Sequence, residues 1–206
     1  MLLRCIKTVQ YYWHCKNDVA QEYTEHELIE GCKRQQPKVQ EYLYKRYYSD
    51  FMKVCMRYAP TVHDAEQWLN DGFYKVFTKV GMFDGKGSFE GWMKRVLVNT
   101  CLDQLRLSKK QSALQFKEVE ENTVSVLSVH IQNDALQSLC FKEIISALQQ
   151  LPETYRTVFN LHVFDGLGHK EIAAQLNIKE GTSHWYLNKA REMMKEKISQ
   201  QTLKNK

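Results

Sequence analysis

The side chains of this chain that are best suited to bind a ligand are basic, aromatic and amide groups rather than a catalytic set. The side of a predicted helix opposite its apolar residues carries Trp92, Lys94, Arg95, Asn99 and Arg106. Cations hold a nucleic-acid backbone, an aromatic ring stacks on a base, and an amide contacts a base edge. Taken alone, the pattern favours a half-buried tryptophan beside a solvated basic face, with a surface for single-stranded nucleic acid as the alternative.

A second candidate surface lies near the C-terminus, where the sequence has the pattern of a helix-turn-helix. Ile172, Ala173 and Leu176 form one apolar face of a short helix, and Asn177 tolerates the left-handed conformation that ends a helix. A long basic helix follows, which favours docking on duplex DNA over the alternative of an ordinary helical hairpin. Its inward face is predicted to be Leu187, Ala190 and Met194. Its outward face is predicted to be His184, Trp185, Asn188, Lys189 and Arg191.

The loop over residues 83–88 (FDGKGS) is the glycine-bearing loop that precedes the first of these surfaces. Gly85 and Gly87 allow positive φ, which would expose backbone amides around Lys86. Ser88 is suited to cap the helix that follows. The spacing is not that of a phosphate-binding loop, so Lys86 joins the first candidate surface instead.

No group of residues indicates an enzyme. The six cysteines, at positions 5, 15, 32, 55, 101 and 140, form no CxxC pair and no Cys/His cluster, which argues against a zinc site or a redox dithiol. No acid/base pair or nucleophile constellation accompanies them. We therefore expect no catalytic residues, no metal and no cofactor, and structural thiols in a reducing cytoplasm.

The elements that would position both surfaces are helices. At 206 residues, with 9 Gly, 3 Pro and few alternating β-branched runs, the chain predicts an all-α fold of two helical domains. The domains are expected at 24–107 and 138–200, joined by a flexible linker over 108–137, after an N-terminal extension of unknown role over 1–23. Within the linker, Ser125–Ile131 is a candidate transient strand. In the second domain the predicted core face is Tyr155, Val158, Phe159, Val163 and Phe164.

The charge pattern suits a partner that carries phosphates. The net charge is +5, and residues 185–206 hold six Lys and Arg against two Glu. No stretch has the apolar length of a signal peptide or a membrane span, so we expect a cytoplasmic protein without direct membrane insertion.

Two helical modules in this order resemble the extracytoplasmic-function (ECF) sigma factors of bacterial RNA polymerase. The resemblance covers about residues 24–198. The matching stretches are 27–32 (ELIEGC), 43–48 (LYKRYY), 64–66 (DAE), 72–77 (GFYKVF), 83–92 (FDGKGSFEGW), 98–100 (VNT), 103–106 (DQLR), 151–152 (LP), 169–173 (HKEIA) and 180–182 (EGT).

The resemblance implies a role for each part of the first module. The helix over 64–77 would dock on the clamp of the polymerase largest subunit through Asp64, Glu66 and Asp71. The loop and the following helix would capture a flipped minus-10 base and melt the duplex, at a cost of a few kcal/mol for unstacking. The residues implied for that task are Lys86, Trp92, Lys94, Arg95, Asn99 and Arg106.

The second module would read the minus-35 element in the major groove. Thr182 and Lys189 would contact phosphates, and His184, Trp185 and Asn188 would face bases, with Arg191 on the same helix. The family usually has basic or amide residues at positions 184–186, where this chain has His-Trp-Tyr; Lys179 stands where Ser is frequent, and Asp71 where Glu is frequent. Further implied partners are the flap of the second-largest subunit, promoter DNA and an anti-sigma protein.

A stand-alone helix-turn-helix repressor or activator is the alternative function. It predicts tight duplex binding without polymerase, whereas a sigma factor is expected to need the polymerase.

Overall fold

The computed structural model describes residues 22–114 and 135–204. Every regular element in these two ranges is helical, and no strand occurs in them, so the predicted all-α fold is confirmed. The candidate strand over 125–131 and residues 1–21 of the N-terminal extension lie outside the described residues. No helix in the two described ranges is long and apolar enough to cross a membrane.

The first module contains four α-helices. Thr24 starts the first with a capping box, since its side chain accepts from the Glu27 N–H and the Glu27 carboxylate accepts from the Thr24 N–H. Thr61 caps the third through the Asp64 N–H. The helices are α1 (Glu25–Lys33), α2 (Pro37–Tyr58), α3 (Val62–Lys79, followed by a 3-10 turn Val80–Met82) and α4 (Phe89–Leu114).

The second module contains the other four described α-helices. Asn177 ends the third of these with φ 53°, the left-handed conformation predicted for it. Ile172, Leu187, Ala190 and Met194 are buried, which confirms the inward faces of the helix-turn-helix. The helices are α5 (Ala135–Gln149), α6 (Glu153–Phe159, followed by a π-helical turn Asn160–Phe164), α7 (His169–Leu176) and α8 (Glu180–Lys204).

Helices α2, α3 and α4 enclose the core of the first module. Tyr58, Phe73, Phe89 and Leu97 are among its fully buried side chains. The helices α3 and α4 cross closely at Gly72, where an added Cβ would lie 2.8 Å from Cγ of Leu97. The close crossing fixes the orientation of α4, which carries the first candidate surface.

Two local predictions are corrected by the helix geometry. The helix α4 continues to Leu114, past the predicted boundary at 107, because residues 108–114 contain neither Gly nor Pro to end it; the division into domains itself stays a prediction. Val163 and Phe164 were expected in the core but are 45% and 37% exposed. The π-helical turn rotates them away, because its i→i+5 hydrogen bonds change the helical period.

Candidate nucleic-acid interface

The loop before α4 presents Lys86 to solvent. Gly85 and Gly87 adopt φ of 77° and 88°, as their positions predict. The Lys86 N–H donates to the Asp84 carboxylate at 3.0 Å, and the Ser88 hydroxyl accepts from the Gly91 N–H at 3.1 Å. The loop is therefore closed by its own side chains at both ends, and the Lys86 side chain remains 88% exposed.

Trp92 is half-buried, as the pattern of its helix face taken alone predicts. Its ring centroid lies 5.7 Å from the rings of both Phe83 and Phe89, and it is stacked on Phe89. Arg95 and Asn99 are exposed on the same side of α4, three and seven residues further along. The structure therefore combines both sequence interpretations, with a tryptophan anchored in the aromatic core beside an exposed cation and amide.

Lys94 and Arg106 point away from this group and toward the second module. The Lys94 ammonium lies 3.1 Å from the Asp165 carboxylate and also donates to the Phe164 carbonyl at 3.1 Å. The Arg106 guanidinium donates to the Gln175 carbonyl at 2.8 Å. Two of the six predicted minus-10 residues thus contact oxygen atoms of the second module.

The three acids of α3 do not lie on one face. Asp64 and Asp71 are seven residues apart and share a side, whereas Glu66 lies about 200° around the helix from Asp64. The Asp64 carboxylate accepts from the Thr61 hydroxyl at 2.6 Å, and the Asp71 carboxylate accepts from the Gln104 amide of α4 at 3.0 Å. A single flat partner surface can therefore contact Asp64 and Asp71 together, or Glu66.

The exposed side of α8 is supported from behind by aromatic rings. The His184 ring stacks on His169 at a centroid distance of 3.6 Å, and His169 stacks on His162 at 4.6 Å. Trp185 is 51% exposed and packs on Tyr155 at 5.8 Å. The predicted outward residues His184, Trp185, Asn188, Lys189 and Arg191 are all exposed, and Thr182 is half-buried.

His162 and His169, which form a histidine column with the predicted His184, were missed as part of this site, as was Tyr155. The rings of the column come from the π-helical turn, α7 and α8, so no helical spacing in the sequence connects them. The His169 Nδ1 lies 2.9 Å from the Ser183 hydroxyl. Burial, followed by the neighbouring His184 and His162, lowers the pKa of His169. The neutral imidazole is therefore favoured at His169, behind the exposed side of α8.

Lys189 has a partner on its own helix. Its ammonium lies 2.8 Å from the Glu192 carboxylate, and this contact raises the pKa of Lys189. Asn188 and Arg191 flank it on the exposed side of α8. The outward side of α8 thus combines an amide, two cations and a tryptophan, which is the chemistry of base and phosphate contacts in a groove.

Comparisons with known proteins agree with this arrangement. Residues 43–111 match the family model for sigma-70 region 2, and residues 141–194 match that for sigma-70 region 4. The ECF RNA polymerase sigma factor SigW of Bacillus subtilis is 27% identical over 161 residues, which are 74% of this chain and 84% of that protein. The ECF RNA polymerase sigma-E factor of Haemophilus influenzae is 24% identical over 186 residues, 87% of this chain and 98% of that protein.

A solved structure shares the fold. It is the sigma factor RpoE in complex with the anti-sigma factor NepR from Bartonella quintana, with 18% sequence identity, a TM-score of 0.51, and coverage of 77% of this chain and 96% of that one. The two family models together cover more than half of the chain, in the order in which its two modules occur. The chain belongs to the sigma-70 family of transcription initiation factors, as a member of the ECF group.

Proposed function

We propose that this chain binds core RNA polymerase, directs it to a small set of promoters and opens their minus-10 region, and that it catalyses no reaction itself. The observation that carries the proposal is the pairing of two surfaces on two modules. One surface, on α4, has a half-buried tryptophan beside an exposed cation and amide. The other surface is the exposed side of α8. A promoter offers both a separated strand and a duplex groove to such a pair.

The α4 surface is suited to hold the separated minus-10 strand. Arg95 supplies a charge for the backbone and Asn99 a donor and acceptor for a base edge. The indole of Trp92 is fixed by Phe83 and Phe89, so stacking a flipped base on it costs little side-chain entropy. Lys86 at the tip of the preceding loop adds a further cation.

The α8 surface is suited to the minus-35 duplex. Asn188 and Trp185 supply an amide and an apolar contact for base edges, while Lys189 and Arg191 face phosphates. The base-facing set at positions 184–186 is bulkier and less basic than the family's usual residues, so part of its discrimination would come from contact with thymine methyl groups.

The polymerase contacts are assigned to the acidic side of α3, with Asp64 and Asp71 facing the clamp of the largest subunit and the second module facing the flap of the second-largest subunit. An anti-sigma protein is a further expected partner, because solved sigma factors with related folds are bound to such proteins. Inhibition by a protein partner would keep the chain from competing for polymerase until a signal arrives.

Run-off transcription with core polymerase tests the proposal. Fragments from upstream regions of the source genome are transcribed with and without the purified chain, and promoter-specific transcripts are expected only with it. A Lys45→Ala variant serves as a surface control, because that lysine is 61% exposed and pairs with Glu41 on its own helix. Complete absence of specific transcripts across the library would refute the proposal.

The stand-alone regulator is not favoured, because the region 2 match over 43–111 would have no role in it. A gel shift with the isolated protein separates the two functions. A stand-alone regulator would shift duplex promoter DNA without polymerase, whereas the proposed sigma factor shifts it only in the holoenzyme.

A further inference from the structure

The histidine column connects half-buried positions of the second module with the exposed side of α8. Its rings belong to His162, His169 and His184 and follow one another at centroid distances of 4.6 and 3.6 Å. The first two side chains are half-buried, whereas His184 is exposed. The outermost imidazole therefore meets solvent in the free chain and, in the proposed function, the groove of the minus-35 duplex.

The hydrogen bonds of the column allow it to gain a proton without rearrangement. The His162 Nδ1 lies 3.0 Å from the Leu167 carbonyl oxygen, which can only accept, so this nitrogen carries a hydrogen. The His169 Nδ1 lies 2.9 Å from the hydroxyl of Ser183, which is fully buried. A hydroxyl donates to a bare imidazole nitrogen and accepts from a protonated one after rotation of its hydrogen. Both partners are uncharged, so neither fixes the protonation state of the column.

The charged groups around the column act in opposite directions. Burial and the other two rings of the column lower the pKa of His169; Glu180 raises this pKa and Arg191 lowers it. The other charged side chains of the π-helical turn, α6 and α7 are exposed or bonded to other groups: Glu153 (to Lys109), Arg156 (to Gln149), Asp165 (to Arg57 and Lys94), Lys170 (exposed) and Glu171 (to the Gly168 N–H). The charges of Glu180 and Arg191 therefore nearly balance at the column, and burial decides for the neutral state.

A DNA groove would change this balance. His184, Asn188 and Arg191 are spaced four and three residues apart and share the exposed side of α8. Duplex DNA that meets this side brings a strongly negative potential, which offsets the charge of Arg191 and favours an imidazolium. Two protons on neighbouring rings of the column would repel each other, so the column gains one.

We infer that the histidine column takes up one proton when α8 docks on the minus-35 duplex, and that the resulting imidazolium donates to an acceptor atom of the groove through His184. The inference rests on the proposed function, which gives α8 its duplex. The acceptor is a phosphate oxygen or the N7 and O6 edge of a guanine, both of which accept from a cationic donor. His184 is the contact residue, and His169 is a positioning residue that supports its ring and shares in the titration.

Proton uptake on binding makes DNA affinity rise as the pH falls. A group that is neutral in the free chain and protonated in the complex contributes at most about tenfold in affinity per pH unit. The sign is opposite to that of the folding contribution of His169, which is lost in acid. Loss of folded chain at low pH therefore cannot imitate the expected gain in affinity.

Promoter binding by the holoenzyme at pH 8.0 and pH 6.5 tests the inference. The DNA is a fluorescein-labelled upstream fragment that supports run-off transcription, and anisotropy measures its affinity. His184→Asn cannot take the proton, so its pH dependence gives that of the polymerase and of the remaining contacts. We expect the wild-type affinity to rise between the two pH values by about threefold or more beyond the change seen with His184→Asn.

Two further variants separate a titrating charge from a merely structural role. His184→Lys carries a fixed charge, so it should bind at pH 8.0 at least as tightly as wild type binds at pH 6.5 and should show only the pH dependence of His184→Asn. His26→Asn is the matched control, because that histidine is exposed on α1 of the first module, and it should keep the wild-type pH dependence.

Salt and sequence distinguish the two acceptors. With a phosphate acceptor, the gain should be the same on different minus-35 sequences, and the slope of log affinity against log salt should be steeper by about one at pH 6.5 than at pH 8.0. With a guanine acceptor, the gain should disappear when one G·C pair of the minus-35 element is replaced.

Equal pH dependence of wild type and His184→Asn would overturn the inference, and successful run-off transcription would then leave the proposed function standing. If no fragment supports run-off, the proposed function fails, and the same pH series is measured on the isolated chain with a duplex that it shifts. A gain that His184→Asn abolishes would still support proton uptake by the column. A chain that shifts no duplex in either form would overturn both.

Discussion

Gly72 of α3 lies so close to Leu97 of α4 that an added Cβ would be 2.8 Å from its Cγ atom. We expect Gly72→Ala to destabilise the chain by about 1–3 kcal/mol, because Leu97 is fully buried and would have to shift to make room for the added methyl group. Thermal unfolding followed by circular dichroism measures the change. Gly181→Ala is the control, since that helical glycine has open space around its Cβ position and alanine should stabilise it by about 0.5–1 kcal/mol. Equal destabilisation by both variants would contradict the close crossing.

Substitutions of Asn99 and Trp92 should have different effects, although both residues belong to the proposed minus-10 surface. Asn99 is exposed, so Asn99→Ala should leave the melting temperature and polymerase binding unchanged and reduce open-complex formation about tenfold or more. Trp92→Ala removes ring contacts with Phe83 and Phe89 and should lower the melting temperature as well. Permanganate footprinting of the minus-10 region measures opening. Equal loss of polymerase binding by Asn99→Ala would argue against its role.

On α8, Asn188 and Lys189 should differ in how they affect DNA binding by the holoenzyme. Asn188→Ala should relax discrimination at one base pair by about 1–3 kcal/mol. Lys189→Ala should weaken binding uniformly across sequences and reduce the slope of log affinity against log salt by about one. Competition assays on a randomised minus-35 library, repeated at several salt concentrations, give both quantities. Sequence-selective loss by Lys189→Ala would place that side chain at a base instead of a phosphate.

His169 should make folding stability depend on pH. Because the pKa of His169 is lowered in the folded chain, the unfolded chain binds its proton more readily. The contribution of His169 is therefore complete above its unfolded pKa of about 6.5 and is lost as the pH falls from there through the lowered folded value. The free energy of unfolding, measured with urea, should fall less between pH 8.0 and pH 5.5 for His169→Asn than for wild type. An unchanged or larger loss in the variant would contradict this assignment.

Local chemistry was predictable from the sequence. Thr24 with Glu27 and Thr61 with Asp64 cap helices as their spacing predicts, and Asn177 adopts the left-handed conformation that its type allows. Each of these features depends on residues within one turn of the chain. The apolar spacing likewise predicted the buried face of α8, because burial on one side of a helix repeats along the sequence.

Contacts between distant residues were not predictable. The Arg57–Asp165 pair joins positions 108 residues apart, and no periodicity relates them. Half-burial of Trp92 was predicted, whereas its packing against Phe83 and Phe89 was not. The exposure of Phe164 was not predictable either. A π-helical turn changes the helical period, and a count based on α-helical spacing does not detect such a turn.

The exposure of α8 has a consequence for the order of events at a promoter. Its DNA-facing side chains need no rearrangement before they meet a groove, whereas a base of the minus-10 strand must leave its stack before it can reach Trp92. In the proposed function, recognition of the upstream duplex can thus precede strand capture on each promoter visit. A wrong upstream sequence would then be rejected before the duplex is opened, which would avoid futile melting.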